Sequence, residues 1–118
     1  MSWMETPTMQ RVEHYLDLVT FRQELISSNL ANVDTPGYHT QDVDFENEIR
    51  RADQRLEGDP VSPHVREVKG LIERPDGNNV SLDRETLALA QVQLQYRAGV
   101  ELIRNEFHMV QTAINEGK

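Results

Sequence analysis

The chain has 118 residues, enough for one domain at most. Its net charge of −8 argues against nucleic acid or an anionic membrane surface as the main partner. The lack of cysteine excludes a disulfide framework and a thiolate metal site. Apolar residues reach 37%, below the usual ~45–50%, a range that also counts glycine, yet Val, Leu, Ile and Phe still make up about a quarter of the chain, above the ~20% that marks disorder. Elongated helical structure suits that balance.

Met1 to Glu5 show neither a basic n-region nor an apolar h-region, which predicts no cleavable signal peptide. No apolar run is long enough for direct membrane insertion. Thr6 is a candidate N-cap, with Pro7 in the first helical position. From there Met9, Val12, Leu16, Val19, Gln23, Ile26, Leu30 and Val33 follow alternating spacings of three and four, a coiled-coil seam interrupted by one glutamine. The helix spans roughly 26 residues, or ~39 Å.

Pro36 disfavours α geometry at Thr35, so this helix must stop near Val33 or Asp34. Pro36 and Gly37 suit the central positions of a type II turn, with Asp34 able to cap by an Asx-type bond. Gln41 to Phe45 reads as an extended lead-in. Asp44 can cap a short helix whose Phe45, Ile49, Ala52 and Leu56 share a face, ended by Gly58-Asp59-Pro60. Val61 to Val80 is an ordered loop or a loose β-hairpin, with brief alternation around Val65–Val68 and Leu71-Ile72 and a strong turn at Pro75-Asp76-Gly77-Asn78.

Ser81 can cap the last helix, with Asp83 and Glu85 favourably placed in its first turn. Leu82, Thr86, Leu89, Gln93, Tyr96, Val100, Ile103, Phe107, Val110 and Ile114 form a second seam of ~51 Å. Two such seams joined by a returning connection predict antiparallel helices. If Val33 lies near Leu82, Gln23 comes beside Val92 or Gln93, predicting a polar pair that fixes register. The fold class is therefore mainly α: an elongated antiparallel pair of long terminal helices, coiled-coil-like, with a short helix and an irregular or β-hairpin middle. The division is 1–33, 34–81 and 82–118 within one structural unit.

A helical hairpin cannot cover every apolar side chain. Tyr15, Leu18, Phe21 and Leu25 flank the first seam, and Leu87, Leu94, Leu102 and Met109 lie off the second. Neighbouring subunits or the folded-back middle region are the two possible covers. Gly99 either admits a close neighbour or is a tolerated glycine on an exposed face.

Chemistry finds little support. His14, His39, His64 and His108 fall at no metal-ligand spacing. Asp42 and Asp44 share a face if extended and can be read as a cation site or as cap and turn residues. Asp76-Gly77-Asn78-Asn79 lacks the later ligands of a calcium loop. No phosphate loop or nucleophile motif occurs, so neither catalysis nor a cofactor is expected.

Asn29 to Tyr38, read as Asn-x-Ala-Asn-x-x-Thr-Pro-Gly-Tyr, resembles the N-terminal signature of the flagellar rod and hook family. Asp42-Val43-Asp44-Phe45 and the run from Asp76 to Glu85 resemble landmarks of its short proximal rod subunits. His39 stands where a lysine is common there, and Thr86 where methionine is frequent. Phe21-x-x-x-Leu25 is similar to the element by which such subunits engage the export gate, although the pattern is short and ordinary i, i+4 helix packing is the favoured reading.

The resemblance implies a structural subunit of the bacterial flagellar basal body rod. Its terminal helices would form the inner layer of a hollow shaft crossing the periplasm, transmitting torque and passing later export substrates. Implied partners are other copies of the chain, the rod proteins FlgC, FlgF and FlgG, FliE, the MS-ring protein FliF and the flagellar type III export apparatus. In that role Asn29, Asn32, Asp34, Thr35, Pro36, Gly37 and Tyr38 would hold the elbow. Leu16, Gln23, Ile26, Leu30, Leu89, Gln93, Tyr96, Ile103 and Phe107 would serve the helix seam and assembly. A FlgC-like rod subunit and a cytoplasmic helical adaptor or chaperone for secretion remain alternatives.

Overall fold

The computed structural model describes residues 7–54 and 62–117. Its elements run α1 (Pro7–Ala31), β1 (Gln41–Val43), α2 (Phe45–Gln54), β2 (Val65–Glu67) and α3 (Leu82–Glu116). The molecule is elongated, 69 × 28 × 19 Å. The expected caps at Thr6 and Gly58-Asp59-Pro60, and Leu56, fall outside the described residues.

The two long helices pack antiparallel. Each starts and stops for local reasons. The α3 N-cap Ser81 is extended and its hydroxyl accepts the Arg84 N–H at 3.2 Å, while Asp83 and Glu85 add negative charge to the first turn. At the far end of α1, Asn32 N–H is shared between the Ser28 and Asn29 carbonyls, Val33 N–H takes the tighter bond to the Leu30 carbonyl, and the chain turns away.

The register agrees with the sequence expectation, but the rotation of α3 does not. Asn29 meets Glu85 and Leu16 meets Gly99, the pairing that places Val33 near Leu82. The α3 residues turned fully inward, however, are Glu85, Ala88, Val92 and Gly99, about one residue round from the expected seam. Leu89 and Ile103 lie half-buried at its edge, Tyr96 and Phe107 are exposed, and Gln23 and Gln93 both face outward. The glutamine pair is thus not formed within the chain. Small side chains explain the rotation: at Gly99 an added Cβ would lie 2.5 Å from Leu16 Cδ2, so glycine lets α1 approach. Glu85 is drawn in by its hydrogen bonds.

On α1 the expected seam holds at Val12, Val19 and Ile26, which are buried, with Leu16 and Leu30 half-buried. Val19, Ile26, Ala88 and Val92 form a thin core, against which Tyr15, Leu30, Phe45 and Leu89 pack. Four small-to-medium side chains at about 1.5–3 kcal/mol for each large one make a modest core. Helix pairing needs further support from polar contacts and from α2.

The middle segment folds back over α1. β1 pairs antiparallel with β2, aligning Gln41 with Glu67 and Val43 with Val65. The extended lead-in is therefore one strand, and its partner comes from the segment around Val65, not from Leu71-Ile72. α2 is capped by Asp44, whose carboxylate accepts from Asn47 N–H at 3.3 Å. Its Phe45 ring meets Tyr15 edge-on at 5.5 Å, and Ile49 and Ala52 lie beside Leu18 and Phe21. One flank of α1 is covered in this way, while that of α3 is not.

Candidate assembly site

The elbow begins with Pro36 and Gly37. Tyr38 N–H bonds the Thr35 carbonyl at 3.2 Å, and Gly37 takes φ of +76°, which gives a type II turn. Its tip meets a second turn, where Gly77 N–H bonds the Arg74 carbonyl and Gly37 N–H bonds the Asp76 carbonyl at 2.9 Å. A Cβ on Gly77 would stand 3.3 Å from Gly37 Cα, so backbone packs on backbone. The Asx-type bond expected of Asp34 is not the one used. Asp34 is exposed, while Asn32 donates to the Ser28 carbonyl at 2.8 Å and accepts the Thr35 hydroxyl at 3.0 Å. Asn32 sits in the last turn, closer to the free carbonyls.

Asn29 is the centre of a polar lock between α1, β1 and α3. Fully buried, it donates to the Gln41 carbonyl at 2.9 Å and to Glu85 Oε2 at 3.1 Å, and it accepts from Gln41 N–H at 3.1 Å and Tyr38 OH at 3.0 Å. Both amide hydrogens and both oxygen lone pairs are used. The side chain thereby takes the place of a third strand along the free edge of β1.

Two further asparagines extend the lock. Asn78 donates to the Asn32 and Thr35 carbonyls at 2.8 and 2.9 Å and accepts from Val80 N–H. Asn79 accepts both the backbone N–H and the hydroxyl of buried Thr40, at 2.7 and 2.9 Å. Arg74 closes the end, donating to the Val80 and Val33 carbonyls. The run Asp76-Gly77-Asn78-Asn79 is thus a turn whose side chains serve as spacers.

Charge completes the arrangement. Asp42 is gripped by Arg22 of α1 at 3.2 Å and by Arg84 of α3 at 2.8 Å, and it accepts its neighbour's backbone N–H. Burial pushes its carboxyl up, but hydrogen bonds from Arg22, Arg84 and Val43 outweigh burial and hold its pKa below the usual value. Arg84 also reaches buried Glu85 at 2.6 Å; burial lowers the guanidinium pKa, and the bonds to Asp42 and Glu85 more than restore it. Asp42 is therefore a junction between three elements and Asp44 a helix cap, which favours the structural reading of that pair.

Arg22, Arg84 and Glu85 were not singled out as site residues by sequence reasoning. The signal that could have found Glu85 is its seat among Ala88, Val92 and Gly99 at helical spacing, an acidic residue on an otherwise apolar line.

The remaining surface is apolar along α3. Leu87, Leu94, Leu102 and Met109 are 54–65% exposed on one side of the α1 contact, and Tyr96, Phe107 and Ile114 are 40–48% exposed on the other. From Thr86 to Tyr96 the helix carries no charged residue. That stretch is uncharged on every side, its polar positions being Thr86 and three glutamines, and its exposed leucines extend well beyond the face that α1 covers.

Among the described residues no three His, Asp or Glu side chains come together to hold a metal ion, and no helix is long and apolar enough to cross a membrane. His39 forms a charged cluster with Glu67 and Glu73. His64 uses its backbone N–H on Glu48, and the His108 carbonyl accepts the Thr112 hydroxyl.

Residues 21–39, which end α1 and form the elbow, match the family described as flagella basal body rod protein. Similarity to individual proteins extends over much more of the chain. It is 32% identical to the flagellar basal body rod protein FlgB of Bacillus subtilis (strain 168), covering 94% of this chain and 95% of that one. It is 29% identical to FlgB of Escherichia coli (strain K12), covering 86% and 88%. With FlgB of Borreliella burgdorferi the identity is 33%, over 70% and 76% of the two chains. Likeness of this degree along nearly the full length of the Bacillus protein, together with the matched elbow, shows that the chain belongs to the FlgB family of flagellar basal body rod proteins.

Proposed function

We propose that the chain is a structural subunit of the proximal flagellar rod, working by mechanical interlock with no reaction catalysed. The observation that carries this reading is the exposed apolar surface on both sides of α3 in a member of a rod protein family. Neighbouring subunits bury those faces, and α1 and α3 together form an inner layer around the export channel. The elbow residues Asn29, Asn32, Asp34, Thr35, Pro36, Gly37 and Tyr38 fix the angle at which the middle segment leaves the helices. The α1 and α3 residues Leu16, Gln23, Ile26, Leu30, Leu89, Gln93, Tyr96, Ile103 and Phe107 divide between the internal contact and contacts with neighbours, Gln23 and Gln93 being outward and available to the latter.

The neighbours are other copies of this chain, FlgC, FlgF, FlgG, FliE and the MS-ring protein FliF, and the site of action is the rod within the periplasm. Delivery is by the flagellar type III export apparatus. The test is electron microscopy of basal bodies from cells deleted for this chain. Rods should be lost, return with the intact chain, and fail to return with a chain truncated at Glu101. Normal rods in the deletion strain would overturn the proposal, and residence in the cytoplasm on fractionation would favour a secretion adaptor.

A further inference from the structure

His39 sits between two carboxylates. Its Nε2 is 2.8 Å from Glu73 Oε1 and its Nδ1 is 3.3 Å from Glu67 Oε2. A carboxylate can only accept, and a neutral imidazole carries a single N–H. Both contacts are therefore hydrogen bonds only when the ring is an imidazolium. Removing its proton must turn one of them into a lone pair facing a carboxylate.

The backbone beside His39 is fixed. Tyr38 is bonded to Asn29, and Thr40 to Asn79. Glu73 lies in a different situation, at the end of the loop 69–73 that leaves β2. That loop is anchored before it by Val68 N–H on the Thr40 carbonyl and after it by Arg74 on Val80 and Val33. Between these anchors Gly70 takes φ of +83° and Ile72 stands 89% exposed.

We propose that His39, Glu67 and Glu73 form a pH-sensitive clamp that holds the loop 69–73 to the elbow by two charge-assisted bonds when His39 is protonated and loosens it, with one bond at most, when His39 is neutral. Ion pairing favours the protonated ring: the bonds to Glu73 and then Glu67 raise the His39 pKa above its usual value. The groove beside the ring is also lined by Asp42 of β1, Arg66 of β2, Lys69 of the loop and Arg84 of α3. Asp42 is neutralised by Arg22 and Arg84, and Arg66 pairs with Asp44 at 3.5 Å; desolvation of the ring is what opposes protonation, and the two glutamates outweigh it.

The sign follows from linkage. A raised folded-state pKa means that the clamp is complete below the unfolded histidine value of about 6.5 and is lost as pH rises through the folded value. The experiment is an NMR titration of the full chain, following the His39 ring and the Gly70 amide and Ile72 methyl signals. His39 should titrate above the ordinary histidine value, and the loop signals should move with the same midpoint. Glu73→Gln should return the His39 midpoint most of the way to ordinary. His39→Lys should keep the loop fastened throughout, so that above the wild-type midpoint wild-type amide exchange in the loop is roughly two- to fivefold faster than in this variant, the size set by an exposed ion pair. An ordinary His39 midpoint, whether from an open clamp or an unfolded elbow, overturns the proposal, as do loop signals that ignore His39 or titrate unchanged in His39→Lys.

Discussion

Asn29 offers the sharpest test of how the elbow is held. Replacing it by Ala strands the Gln41 N–H and carbonyl and removes the bonds to Tyr38 and Glu85. Each stranded group costs ~1–3 kcal/mol, and Tyr38 and part of Gln41 can turn to water, so the loss should be about 3 kcal/mol. That corresponds to a fall in Tm on the order of 10 °C for a chain this size. Asn29→Asp has nearly the same shape and keeps the oxygen that accepts from Gln41 and Tyr38. It nevertheless replaces the donor 3.1 Å from Glu85 Oε2 with a carboxylate oxygen.

Two carboxylates this close cannot both ionise freely, so the introduced carboxyl and Glu85 should together bind a proton at higher pH in the folded chain than in the unfolded one. Asn29→Asp should therefore be at least as unstable as Asn29→Ala at pH 7 and should recover relative to wild type as pH falls towards 5. Urea unfolding followed by circular dichroism at the two pH values measures both effects. An Asn29→Asp variant within ~0.5 kcal/mol of wild type at pH 7 would refute the argument that hydrogen-bond polarity, and not shape, governs this site.

Other outcomes follow from the same geometry. Asp42→Asn should cost about 1.5–3 kcal/mol by weakening the bonds to Arg22 and Arg84. It should also flatten the acid limb of stability, because a carboxyl of depressed pKa stabilises above its unfolded value and loses that contribution as pH falls through the folded one; denaturation between pH 6 and pH 3 checks both. Gly99→Ala gains about 1 kcal/mol of helix propensity but meets Leu16 at 2.5 Å, a strain of ~1–3 kcal/mol. A net loss relieved by Leu16→Ala in a double-mutant cycle is expected, and additivity would contradict the contact. Gly37→Val, with space around it but φ of +76°, should be destabilised through its backbone and abolish motility while expression persists. Normal swimming would remove the elbow from the account.

Much of the fold was legible because strong local signals agreed. The three-four spacing of Val12, Val19 and Ile26 placed α1, Ser81 placed the start of α3, and Pro36-Gly37 placed the turn. The rotation of α3 was not legible. Leucine, tyrosine and phenylalanine at heptad spacing outvote Ala88 and Gly99 in any hydrophobicity pattern, yet close approach of two helices selects the small residues. The segment around Val65 was visible by its brief alternation, but its pairing with β1 was not: Val65–Glu67 is exposed at every position, so no buried face fixes which strand it joins. At the elbow, the signature residues Asn29 and Tyr38 were visible as a pattern. Their dependence on Glu85, Asn78 and Asn79 is a long-range hydrogen-bonding relation that no local periodicity encodes.

The most direct test of the central claim is Leu87→Glu combined with Leu94→Glu, measured for helicity in the purified chain and for motility and rod structure in cells. Both side chains are exposed and neither belongs to the core between α1 and α3. Surface substitutions of this kind change monomer stability by no more than about 0.5 kcal/mol each. The account predicts an unchanged circular dichroism spectrum, non-motile cells and basal bodies without a complete rod. Normal rods and swimming with both charges in place would show that the outer face of α3 meets no neighbour, and would contradict it.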